Sequence, residues 1–203
     1  MKFLRCFAMV VSVTAVVCLG ARAQVYKVHT ADVAVGGTGQ FTSSITDQTN
    51  TPHQATTDSA GFLLSFREHP VSWAGIELNY GYSSFSERFT SLASVPLESV
   101  PLSFHEATAA YVLHSHRHGI QPFATVGGGA LYFNPSPVHV HTQLRGTGLV
   151  DIGADMLTSN PHFGFRVQGR SLYYRAPNFN NPGIATSRWV ATVEPSASVF
   201  MRF

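Results

Sequence analysis

From Trp73 to Ser83 the chain alternates without a break: Ala74, Ile76, Leu78, Tyr80 and Tyr82 are apolar or aromatic, while Gly75, Glu77, Asn79, Gly81 and Ser83 are small or polar. Successive side chains take opposite faces only in an extended strand, so this period predicts a strand with one greasy face and one polar face. His105 to His114 repeats it, with Ala107, Ala109, Tyr111 and Leu113 set against Glu106, Thr108 and His114, although Ala110 and Val112 blur the polar side. Val193, Ala197, Val199, Met201 and Phe203 share a parity that includes Pro195, against Glu194, Ser196, Ser198 and Arg202, and Phe200 breaks it. Beyond the first twenty or so residues, no stretch is uniformly apolar for the roughly 20 residues a membrane-spanning helix needs. Any membrane residence must therefore come from strands.

Extending the pattern predicts eight strands, near 29–41, 59–67, 73–84, 104–115, 121–133, 147–157, 163–174 and 189–203. The predicted connections alternate: long for 42–58, 85–103, 134–146 and 175–188, short for 68–72, 116–120 and 158–162. That is the pattern of an all-β, eight-stranded antiparallel up-and-down transmembrane barrel, with short periplasmic turns, long external loops and both termini in the periplasm. Aromatic residues gather at the expected membrane boundaries. Phe41, Tyr80, Tyr82, Phe104, Tyr132, Phe133, Tyr173, Tyr174 and Trp189 fall on the long-loop side, and Phe66, Trp73, Phe163 and Phe203 on the short-turn side. Two such belts are expected where rings meet lipid headgroups. Gly127, Gly128, Gly129, Gly153 and Gly164 would ease the curvature of a small barrel or make room for long side chains inside it.

Lys2 and Arg5, an apolar run from Phe7 to Leu19, and Ala21-Arg22-Ala23 follow the order of a secretory signal. Residues 1–23 are expected to be removed after Ala23, leaving 24–203 as one barrel domain. Both cysteines, Cys6 and Cys18, would leave with the signal, so neither a disulfide nor a thiolate metal site is expected. Val17, where a small residue normally precedes a lipidated cysteine, argues against a lipid anchor. The mature chain would carry 10 basic against 11 acidic residues, with its arginines scattered, which gives no basic patch for nucleic acid. Charged residues are only 12% of the chain, against about 25% in soluble domains. A surface facing lipid accounts for that.

These residues resemble the small OmpA-like outer-membrane β-barrel family, as a barrel without the peptidoglycan-binding domain. The likeness rests on the signal, on Trp73-Ala74-Gly75-Ile76-Glu77-Leu78-Asn79-Tyr80-Gly81-Tyr82, on Gly127-Gly128-Gly129 and on a last strand ending in Phe203. The resemblance implies that Val199, Met201 and Phe203 form a C-terminal signal read by the barrel-insertion machinery, with periplasmic chaperones as partners in transit and outer-membrane lipid as the final surround.

On the polar parity lie Glu77, Glu106, Asp151, Asp155, Arg166, Gln168 and Arg170. In eight strands the interior holds little more than side chains, and charges enclosed there are costly unless paired, so a lumen charge network is expected. The histidines raise a metal reading, since His114, His116 and His118 alternate near one strand end and His139 and His141 do so in a loop. Solvated turns account for the same spacing, and no metal or other cofactor is expected. His114-Ser115 superficially resembles lipid A deacylases, but it falls at the periplasmic end with no extended motif, so an enzyme is not expected.

The expected role is structural or surface interaction through four extracellular loops, whose partner the residues do not name. The alternatives are a small-solute pore, a soluble secreted ligand-binding barrel with apolar faces turned inward, and, last, a lipid-modifying barrel enzyme.

Overall fold

The computed structural model describes residues 30–44, 53–90, 96–115, 119–137, 141–180 and 188–203. The proposed signal, His116, His118 and His139 lie outside the described residues. Strands β1 (Thr30–Thr42), β2 (His53–Thr56), β3 (Ser59–Val71), β4 (Ala74–Thr90), β5 (Pro96–His114), β6 (Ile120–Pro135), β7 (Gln143–Leu157), β8 (Phe163–Arg175) and β9 (Trp189–Arg202) follow in order. All but β2 form a closed antiparallel ring in the order β4-β3-β1-β9-β8-β7-β6-β5, with β5 paired in turn to β4. Where the ring closes, Ala31 and Phe203 exchange backbone hydrogen bonds of 3.0 and 2.9 Å.

The eight-stranded barrel expected from the alternation is present, and the period-two rule explains its two surfaces. Tyr111 and Ile152 face outward and are 69% and 68% exposed, whereas Arg67, Glu77 and Arg170, on the opposite parity, are wholly buried. Apolar outside and ionic inside is the reverse of a water-soluble protein.

Two expectations fail at the long-loop end. Residues 85–90 and 96–103, expected in a long loop, are strand: β4 runs on to Thr90 and β5 begins at Pro96, with unbroken pairing from Ala74↔Leu113 to Phe89↔Glu98. The unforeseen β2 pairs with the tip of this hairpin, from His53↔Thr90 to Thr56↔Glu87. The physical reason is an inversion of polarity inside a single strand. Up to Tyr82 the apolar residues of β4 are even-numbered and point outward; beyond Ser83 they are Phe85 and Phe89, odd-numbered and buried, while Ser84, Ser86, Arg88 and Thr90 take the outer face. The backbone register does not change, but the apolar parity does, so a strand whose apolar face switches sides reads as a strand ending.

The aromatic belts need a matching correction. Phe66, Trp73, Phe163 and Phe203 are exposed at the short-turn end, as are Phe41, Tyr80, Tyr173 and Trp189 at the other. Phe104, Phe133 and Tyr174, expected in the outer belt, are buried inside the barrel.

Candidate functional site

The interior is built in two halves. In the half nearer the short turns, Asp32 on β1, Arg67 on β3, Glu77 on β4, Asp155 on β7 and Arg166 on β8 form one ion-pair network. Arg67 Nε donates to Glu77 Oε2 at 2.8 Å, and its Nη1 donates to Asp155 Oδ2 at 3.2 Å. Arg166 donates from Nε to Asp155 Oδ1 at 2.7 Å and from Nη2 to Asp32 Oδ1 at 3.0 Å. Asn79 completes the shell of Glu77, donating to Oε1 at 2.9 Å.

Two inward aromatic rings lie over these guanidiniums. The Arg67 guanidinium carbon sits 4.2 Å from the centre of the Phe123 ring, and that of Arg166 sits 5.3 Å from the Phe200 ring. Both rings fit because their neighbours are glycines: a Cβ on Gly153 would stand 2.5 Å from Phe123 Cζ, and one on Gly164 would stand 2.3 Å from Phe200 Cζ. Phe200, which breaks the alternation in β9, does so because it belongs to this lining.

A second ion-pair cluster stands one level further in. Arg170 bridges Glu106 and Glu194, reaching Glu106 through Nη1 at 3.2 Å and through Nη2, and Glu194 Oε2 at 2.8 Å. Gln40 donates to the other oxygen of Glu194 at 2.7 Å, and Thr108 donates to Glu106 Oε1 at 2.9 Å.

Of the residues assigned to the lumen from sequence, Glu77, Glu106, Asp155, Arg166 and Arg170 thus meet in these two clusters. Asp151 faces inward opposite Arg170 and is buried, but neither of its oxygens accepts a hydrogen bond from the described residues. Sequence reasoning missed Asp32, Arg67 and Glu194 as members. The parity rule would have found each: Asp32 alternates with Val33 and Val35, Arg67 with Phe66, and Glu194 with Val193. Val199, Met201 and Phe203 line the outer face of β9, exposed together.

Towards the long loops the lining becomes apolar. Phe85, Phe89, Val100, Leu102, Phe104, Leu131, Phe133, Leu149, Leu172, Tyr174 and Val190 form one buried cluster, and Phe179, from the segment after β8, closes it from above. Phe179 and Asn180 are left-handed, with φ of 49° and 58°, and this reversal carries the Phe179 ring into the barrel. Polar clamps hold the segment down: Gln143 donates to Asn178 Oδ1 and accepts from the Asn178 amide at 3.0 Å, and Arg145 donates to Asn178 Oδ1 at 3.2 Å.

Glu87 is enclosed in this cap. Gln54 of β2 donates to it at 2.6 Å, and burial pushes its carboxyl up to about 8. Among the described residues no group of three or more His, Cys, Asp or Glu side chains is gathered as a metal centre.

No protein-family profile and no curated protein matches the sequence. Solved structures match the fold. Neisserial surface protein A superposes with a TM-score of 0.62 at 13% identity, over 85% of this chain and 97% of that one. The outer membrane protein OprG from Pseudomonas aeruginosa gives 0.61 at 12% identity, over 88% and 97%. Ail, the attachment invasion locus protein of Yersinia pestis, solved with the heparin analogue sucrose octasulfate, gives 0.53 at 12% identity, over 87% and 100%. At such identities fold is what is shared. This chain has the closed eight-stranded antiparallel architecture of the small outer-membrane β-barrels.

Proposed function

We propose that the chain is a non-enzymatic integral protein of a Gram-negative outer membrane, a closed barrel that holds its long-loop end outside the cell for structural or surface-interaction work. In this reading the short turns and both ends of the barrel face the periplasm. The observation that carries it is the doubly filled interior: two buried ion-pair clusters on the periplasmic side and a phenylalanine-rich core under Phe179 on the other. A barrel packed in this way offers no passage to solutes, and its outward apolar face needs hydrocarbon rather than water. That argues against both the small-solute pore and the soluble barrel.

The polar hairpin tip supports an outer, water-facing role. Ser84, Ser86, Arg88 and Thr90 cover the outside of β4 above the last tyrosines, and β2 widens this part into a small sheet. Attachment is the role named for Ail, and by analogy of fold it suits these loops. On this reading lipid surrounds the barrel, and the insertion machinery and periplasmic chaperones act on the chain in transit, with Val199, Met201 and Phe203 as the recognised strand end.

Planar-bilayer recording on the refolded barrel tests the closed interior, with no unitary conductance expected. Steps that persist in preparations showing a single heat-modifiable band would overturn the closed-barrel reading in favour of a pore.

A further inference from the structure

The short-turn mouth of the barrel holds a pair of histidines at the edge of the ion-pair network, one of them tied to it through Asp32. His69, near the end of β3, and His114, the last residue of β5, lie on the two strands that flank β4. They touch across it because the inward position between them is Gly75, where a Cβ would come within 3.4 Å of His69 Nδ1. His69 Nδ1 and His114 Nε2 are 3.2 Å apart.

The hydrogen bonds set the tautomers. Asp32 Oδ1 accepts from Arg166 at 3.0 Å, and Arg202 Nη2 lies 3.7 Å from Oδ2, so Asp32 acts as an acceptor. His69 Nε2, 3.1 Å from Oδ2, is then the protonated nitrogen, and the His69 Nδ1 lone pair is turned to His114. A carboxylate that takes the far N–H of an imidazole is the usual support of a metal-ligating histidine, because it fixes ring and tautomer.

The separation of the two nitrogens suits a shared ion. Two imidazole nitrogens on one tetrahedral zinc ion, each about 2.0–2.1 Å from it, stand about 3.3 Å apart. The ring centres are 4.6 Å apart and the rings are tilted by 47°; two imidazoles sharing one ion at these bond lengths place them about 5 Å apart, so the rings swing slightly apart on binding. Arg67, Arg166 and Arg202 lie nearby and pair with Asp32, Glu77 and Asp155, so a cation here has to be held by its imidazole donors and not by net charge.

We propose that His69 Nδ1 and His114 Nε2 bind one borderline transition-metal dication of the Zn2+ or Cu2+ class at this mouth, with Asp32 as the orienting carboxylate and water in the remaining positions. Imidazole donors select such ions over Mg2+ and Ca2+. On binding, the proton of His114 Nε2 is replaced by the ion, and His114 takes its Nδ1–H tautomer. The open coordination positions make this a site for uptake and release of an ion, distinct from a structural metal centre. It does not depend on the loops acting as proposed above.

The test uses the refolded barrel in detergent, titrated with Zn2+ by calorimetry and with Cu2+ by electron paramagnetic resonance. One ion per barrel is expected, with a two-nitrogen Cu2+ signature. His69→Ala and His114→Ala should each weaken binding by at least about tenfold, and Asp32→Asn by about tenfold. Because Asp32→Asn also disturbs the ion-pair network, His114→Ala at the half-buried rim serves as the variant expected to fold normally. A variant with His116, His118, His139 and His141 all changed to Asn should keep the site. Absence of stoichiometric binding to the unaltered barrel would overturn the proposal. So would binding that survives the His69→Ala/His114→Ala pair and disappears in the four-histidine variant.

Discussion

The two halves of the lumen solve the same packing problem with opposite chemistry. Nearer the short turns, where the outer face meets lipid, the interior is filled by arginines and carboxylates; nearer the loops, where Ser84, Ser86 and Arg88 replace lipid-facing residues outside, it is filled by phenylalanine and leucine. A strand wall always has two faces, and here water and hydrocarbon exchange sides as the wall crosses the membrane boundary. In the first half the lipid already supplies the apolar contact, so the interior is free to carry charge. In the second half the loops stand in water, and only an internal core can hold the hairpin together.

The comparison breaks most visibly at Arg166. Arg166→Met leaves Asp32 and Asp155 without their main partner, and a buried pair broken on one side costs roughly 3–5 kcal/mol. Urea unfolding of the refolded barrel, followed by heat-modifiable mobility, should show a midpoint lowered accordingly; an unchanged midpoint would mean that the ion pairs do not carry the lower half. A smaller effect is expected from Gly153→Val. The new side chain must displace the Phe123 ring from Arg67, an overpacking cost of about 1–3 kcal/mol. The same measurement reads it, and Gly146→Val, with open space beside its Cα, is the control that should leave the midpoint in place.

The smallest effect belongs to the cap and depends on pH. Glu87 is raised by burial from 4.5 to about 8, so the folded cap holds its proton more tightly than the unfolded chain does. Its stabilisation is complete below 4.5 and is lost as pH rises through 8. Hydrogen exchange at His53–Thr56, corrected for base catalysis, should therefore accelerate as pH rises from 5 to 8 and level off above it, and Glu87→Gln should abolish the change. An equal acceleration in that variant would remove Glu87 as the cause.

What the sequence reveals follows the same division. In the half nearer the short turns, alternation alone separates outside from inside, and it picks out Glu77, Asp155 and Arg166. Asp32 and Arg67 obey the same parity, and reading every strand in one frame would have added them. In the loop half the rule inverts at Ser83 without a break in the backbone. Phe104, Phe133 and Tyr174 then read as belt residues and β4 appears to stop early. The His69–His114 contact is illegible for another reason: it joins strands that are not neighbours, and it depends on Gly75 having no side chain.

The ring closes through a pairing between β1 and β9 in which the Thr38 hydroxyl reaches the carbonyl of Pro195, 157 residues away. Every other strand pair in the ring joins near neighbours in the chain; this one closes by far the longest loop and carries the largest closure cost of any single pair. Assembly therefore has a natural order, with hairpins zipping early and the first strand waiting, its edge unsatisfied, until the ninth arrives. During that wait the chain is a sheet with two unsatisfied margins, the state most open to pairing with another chain, and loss of the final strand would leave it there.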